Sequence, residues 1–115
     1  MTQVLPLPGD ALLDQLQRGA FAYFLKTIDP GNGLVADNSR EGAPVSIAVV
    51  GLALSAYPVA VERGWMTRAD ALASSLAALR FFRDSDQSGS PTATGFKGFY
   101  YHFLHRRTGA GARAT

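Results

Sequence analysis

The sequence predicts an all-α fold, and three observations carry that prediction. Apolar residues recur at spacings of three and four in three separate stretches. Clusters of Gly, Pro, Asn and Asp separate those stretches. No alternating apolar–polar run reaches convincing strand length. The expected organisation is three helices, at about residues 10–28, 46–63 and 68–83, joined by polar loops.

Composition bounds the chain further. Its 115 residues suit one small domain. Hydrophobic residues make up 47% and charged residues 17%, a globular balance rather than a disordered one. The formal charge is +2, with Arg106, Arg107 and Arg113 near the end, and no basic face interleaved with aromatics argues for nucleic acid. There is no cysteine, so disulfide and thiolate chemistry are excluded.

Residues 1–9 read as an irregular lead-in with two prolines and without the basic start and apolar core of a signal peptide. Asp10 is placed to cap the first helix. Leu13, Leu16, Ala20, Phe24 and Ile28 mark its apolar face, widened by Leu12, Phe21 and Leu25. Asp29-Pro30-Gly31-Asn32-Gly33 ends it. A polar loop over 34–45 leads to Ser46, a candidate cap for the second helix. That helix is apolar almost all round up to Glu62, so it must be covered on more than one side. Pro58 predicts a kink near Leu54. The uncharged run from Ala43 to Val61 approaches the roughly 20 residues of a membrane span. Its Ser46, Ser55, Tyr57 and Pro58 argue against one.

Gly64 ends helix two. Thr67, with Asp70 three residues on, forms a variant capping box for helix three. Ala69, Leu72, Leu76, Leu79 and Phe82 are its expected buried face. A Ser/Asp/Gly/Pro loop over 84–94 then leads to Gly95-Phe-Lys-Gly-Phe-Tyr-Tyr-His-Phe-Leu104, where five aromatics, a histidine and a lysine share ten residues. Flat aromatic faces with a few directional polar groups suit a sugar-binding cleft. Residues 110–115 carry no structural signal.

Four segments together resemble the glucoamylase-like bacterial domain family, which includes endo-β-1,2-glucanases and a domain attached to cyclic β-1,2-glucan synthases. They are Leu16-Gln-Arg-Gly-Ala-Phe-Ala-Tyr-Phe24, Gly33-Leu-Val-Ala-Asp-Asn-Ser39, Val45 to Pro58 continuing to Glu62-Arg-Gly-Trp65, and Gly95 to Leu104. They occur in the family's order and at similar spacing over about residues 10–109. The resemblance implies an (α/α)6 barrel around a sugar-binding cleft, of which this chain supplies the first helices. It implies inverting hydrolysis of β-1,2-glucan by the complete domain. Hydrolases of this family act in the periplasm or are secreted. Two departures stand out. After His-Phe-Leu the family commonly carries an aspartate, where this chain has His105. After Thr108-Gly109 the family continues toward an acidic segment, where this chain reads Ala110-Gly-Ala-Arg-Ala-Thr115.

Glycoside hydrolysis usually needs two carboxyl groups flanking the scissile bond. Asp10, Asp14, Glu62 and Asp70 are accounted for by capping or solvation. No catalytic pair is assigned, and the chain alone is expected to be inactive. Four substrate-binding candidates remain: Asp37, Lys97, Tyr100 and His102. Asp37 lies in a matched loop near Arg40, with an Asx-turn as its plain alternative. Tyr100 and His102 would face the same side of an extended segment, with Phe99, Tyr101 and Phe103 turned to the core. Lys97 sits between Gly95 and Gly98, which permit close approach of a ligand; a solvated loop lysine is its alternative. Trp65 reads as a helix-end packing residue. His102 and His105 have no acidic neighbour in sequence, so no metal is expected, and nothing calls for a cofactor. The partner implied is a β-glucan oligo- or polysaccharide. Two rival readings are a non-catalytic carbohydrate-binding remnant and a helical interaction module that self-associates through residues 46–63.

Overall fold

The computed structural model describes residues 8–112. Its three helices are α1 (Pro8–Thr27), α2 (Ile47–Glu62) and α3 (Arg68–Arg83). Four strands of two residues accompany them: β1 (Val45–Ser46), β2 (Gly95–Phe96), β3 (Phe99–Tyr100) and β4 (Phe103–Leu104). Among the described residues no helix is long and apolar enough to cross a membrane. Of the irregular lead-in expected over residues 1–9, residues 1–7 lie outside the described range, and Pro8 and Gly9 belong to α1 instead.

α1 starts at Pro8, two residues before its expected cap. Asp10 therefore sits within the first turn, where its charge complements the positive end of the helix dipole. The turn after α1 forms as its composition dictates. Gly31 N–H donates to Asp29 Oδ1 at 2.9 Å, and Gly33 N–H to Asp29 O at 2.7 Å. Gly33 has φ 72°, and a Cβ there would collide with the backbone of Ala78 on α3. That close approach needs glycine on both counts.

α2 runs without interruption through Pro58. Its end is a complete left-handed cap: Gly64 has φ 75°, Gly64 N–H donates to Val61 O at 3.1 Å, and Trp65 N–H to Ala60 O at 2.8 Å. Trp65 packs on Phe21, with ring centroids 5.7 Å apart. The cap of α3 also forms, as Thr67 Oγ1 accepts from Asp70 N–H at 3.1 Å.

The buried faces differ from the periodic reading. On α1 every residue from Gly9 to Ala20 is exposed, Leu13 and Leu16 included, and burial begins at Phe21. On α3, Leu72 and Leu79 point outward while Ala71 and Ala78 are buried. The physical reason is the α2–α3 contact. Alanines let the two helices approach closely, and that rotation turns the leucine ridge away from the interface. On α2, Val50, Ala53, Tyr57 and Ala60 form one buried stripe, while Leu52 is 62% exposed. The second apolar face, which the sequence requires to be covered, stands open among the described residues.

A narrow ladder closes the opposite end of the core. Ala36 pairs with Val45, Val45 with Leu104, and Leu104 with Gly111, all antiparallel. Val45 and Leu104 are fully buried between the rows. The ladder extends past β4: Ala112 N–H donates to Phe103 O at 2.8 Å, so residues 110–112, expected to be an unstructured end, are held in place. One polar atom in the core lacks a partner. The Tyr57 hydroxyl is buried and makes no hydrogen bond among the described residues. Burial pushes its ionisation upward.

Candidate functional site

The aromatic segment is a hairpin followed by a bend. β2 and β3 pair Phe96 with Phe99 across the two-residue turn Lys97-Gly98, both at positive φ (52° and 88°). This is the turn geometry whose twist matches a hairpin. Gly95 admits the partner strand, since a Cβ there would strike the Phe99 carbonyl. Gly98 N–H donates to Gln87 Oε1 at 2.8 Å, tying the hairpin to the loop after α3.

Tyr100 turns back onto α3. Its hydroxyl donates to Phe82 O at 3.2 Å, and its ring meets Phe82 edge-on at 4.8 Å. The backbone then bends at His102 before entering β4. His102 belongs to the start of α2: its carbonyl accepts from Ile47 N–H at 3.0 Å, and its Nε2 lies 3.4 Å from Ser46 Oγ. Ser46 holds the N-cap position of α2, but its hydroxyl makes no capping bond and faces His102 instead.

The bend overturns the expected alternation. Tyr100 and His102 do not share a face: one packs on α3 and the other on the foot of α2. Phe99 and Tyr101 do not enter the core, and Phe99 is 80% exposed at the hairpin's edge. Lys97 stands at the tip, with Nζ 5.2 Å from the centroid of the Phe96 ring.

Asp37 lies one residue beyond the Ala36–Val45 bridge, where its N–H donates to Pro44 O at 2.8 Å. The register sets Asp37, Pro44 and His105 in one row of the ladder. His102, beside Ile47, is at the other end. The Asx-turn in this loop belongs to Asn38, whose Oδ1 accepts from Arg40 N–H at 2.9 Å. The Asp37 side chain is exposed, and its charge adds to the burial that raises the ionisation of Tyr23. The Tyr23 hydroxyl donates to Ala36 O and so fastens α1 to the ladder.

A groove of about 660 Å³ opens beside β4, lined by Tyr101, His102, Phe103 and His105 with the Gly89–Pro91 loop and Gly111. A tyrosine face, two imidazoles and a second aromatic ring can stack on and hydrogen-bond a small polar ring. The lining holds no carboxylate. Of the four candidates, His102 alone lines this groove; Tyr100, Lys97 and Asp37 stand apart from it. Tyr101, His105 and Ser46 were missed as neighbours of His102. The spacing of His102 and His105 was visible, but the bend that exposes Tyr101 has no local marker. Among the described residues no three metal-ligating side chains cluster.

No family model matches the chain. It is similar to the exo-β-1,2-glucooligosaccharide sophorohydrolase (non-reducing end) of Parabacteroides distasonis, 26% identical over 105 residues. That match covers 90% of this chain and 14% of the relative. Among solved structures it superposes on a candidate glucoamylase from Bacteroides uniformis with TM-score 0.75 and 28% identity, covering 95% of this chain and 27% of that one. An endo-β-1,2-glucanase from Chitinophaga pinensis, in complex with sophorotriose and glucose, gives TM-score 0.72 at 23% identity, covering 90% of this chain and 25% of that one. The resemblance carried by the four segments is thus borne out. The chain spans about a quarter or less of the length of these proteins, and its three helices are part of an (α/α)6 barrel. That architecture explains the open apolar face of α2, because a barrel's inner helices are covered on every side.

Proposed function

We propose that the chain provides a sugar-contacting part of a β-1,2-glucan-active glycoside hydrolase domain. The observation that carries this reading is the groove beside β4, which offers aromatic faces and imidazoles without a carboxylate. Such a lining binds a saccharide but lacks the paired acid and base that inverting hydrolysis requires. The complete domain would hydrolyse β-1,2-linked glucan with water as nucleophile and two carboxyl groups contributed by other segments. His102 is the contact residue in this reading, with Tyr101 as a stacking face. Tyr100 supports the hairpin from behind, and Asp37 and Lys97 reach saccharide units outside the groove.

Titration calorimetry with sophorotriose tests this. Saturable heat is expected for the chain, lost in His102→Ala and kept in Arg68→Gln. No reducing ends should be released from linear β-1,2-glucan. Absence of specific heat from a chain that unfolds cooperatively would refute the binding reading. Turnover lost in Asp37→Asn would refute the inactive one.

Exposed Leu52 and Val59 on α2 favour a second reading, in which the open face pairs with another copy. Sedimentation would then give a dimer that Leu52→Glu converts to monomer.

A further inference from the structure

A second groove, of about 1000 Å³, lies across the ladder from the aromatic one and meets it at His105 and Ala112, which line both. Four cationic side chains line it: Lys26 near the end of α1, Arg40 in the loop after Asp37, and Arg106 and Arg107 after β4. Glu41 is the carboxylate on the same lining. The whole chain carries a formal charge of only +2, so this groove concentrates positive charge that the rest of the chain offsets.

The groove is held by backbone pairing rather than by its charges. The row of Asp37, Pro44 and His105 fixes the 38–43 loop beside the turn after β4. Asn32 Nδ2–H donates to Arg106 O at 2.8 Å, and the Arg106 guanidinium donates to Ile28 O at 3.4 Å, which ties the turn after β4 to the end of α1 and the turn that follows it. Among the described residues the recorded ion pair is Arg83–Asp84, so none of the four groove cations is neutralised by a carboxylate. Like charges in a concavity repel one another, and a bound anion would relieve that repulsion. Ser39 adds a hydroxyl to the lining, and Thr27 and Thr108, whose hydroxyls already bond Tyr23 O and Ala110 N–H, keep one further hydrogen-bonding capacity each for a polyhydroxylated ligand.

We propose that this groove binds an anionic group, phosphate or carboxylate, carried on a carbohydrate. The carbohydrate half rests on the function proposed above; the anion half stands on the groove alone. Arginine forks bind such oxyanions in two parallel hydrogen bonds, and the flanking hydroxyls take the sugar.

The test is an NMR titration of the full chain with inorganic phosphate, glucose 6-phosphate, glucuronate and glucose. The three anions should shift amides of residues 38–43 and 105–108, and glucose should not. Glucose 6-phosphate should bind more tightly than phosphate. Arg40→Gln and Arg107→Gln, whose side chains make no hydrogen bond among the described residues, should each weaken binding roughly tenfold. Arg68→Gln should not. Raising salt from about 20 to about 500 mM should weaken binding further, as screening of exposed charges requires. Equal shifts with glucose, unchanged affinity in both groove variants, or no localised shift would overturn the anion site. Equal affinity for phosphate and glucose 6-phosphate would overturn the carbohydrate half. Sophorotriose binding at the aromatic groove is read separately, so failure of either proposal is distinguishable from failure of the other.

Discussion

The ladder at the foot of α2 begins in a stretch that reads as a polar loop, and the first three turns of α1 read as an apolar face, yet it is the ladder that is buried. In the ladder, Val45 and Leu104 are fully enclosed. In α1, Leu12, Leu13 and Leu16 lie between 55% and 66% exposed. The difference is one of partners rather than of hydrophobicity. The ladder finds its partners within this chain, through antiparallel pairing of segments far apart in sequence, Val45 with Leu104 and Ser46 with Phe103. The α1 leucines and the outer face of α2 need helices that a barrel would supply. Apolar periodicity marks surface that must be covered; it does not say by what.

The sharpest way to break this contrast is paired truncation. Leu104→Ala should cost about 2–5 kcal/mol in urea unfolding, the range for a buried leucine. Leu13→Ala should stay within about 0.5 kcal/mol, as for exposed positions. Equal losses would erase the distinction. Next in size is Gly33→Ala, which places a Cβ against the Ala78 backbone at a positive φ. It should destabilise by about 1–3 kcal/mol, whereas the same change at exposed Gly19, which has open space around it, should stabilise α1 by about 0.5–1 kcal/mol.

A smaller effect is expected at Tyr57. Its hydroxyl is buried without a partner, so Tyr57→Phe should raise stability by about 1 kcal/mol. The pH profile gives the sign independently. Burial raises the ionisation of Tyr57 above its ordinary value of 10.0. Its contribution is therefore fully present below that pH and is lost as pH rises toward the folded-state value. Tyr57→Phe should flatten part of the alkaline fall, and Tyr23, also raised by burial, contributes to the fall in the same direction. Smallest of all is Phe99→Ser at the hairpin edge, which should move stability by less than about 0.5 kcal/mol.

The helices were readable because capping and stop signals are local. Thr67 with Asp70, Gly64 after α2 and the Asp29–Gly33 turn each act within a few residues. The buried faces were not readable, because the choice between Ala78 and Leu79 depends on how closely α2 approaches. Strands of two residues are too short to show alternation, so the ladder had no sequence signature. The aromatic run was recognised as the informative stretch, but its residues were distributed wrongly. Side-chain alternation holds only along an extended segment, and the chain bends at His102. Ser46 was assigned to capping because its position suits that role; its hydroxyl faces an imidazole 56 residues away in the chain.

Hydrogen exchange of the whole chain, with and without sophorotriose, separates the buried ladder from the open helix face. Slow exchange is expected at Ile47 and Ala112 in the ladder, fast exchange over residues 10–20, and added protection at 101–105 when the sugar binds. Equal protection of residues 10–20 and the ladder, together with no change at 101–105, would contradict this pattern.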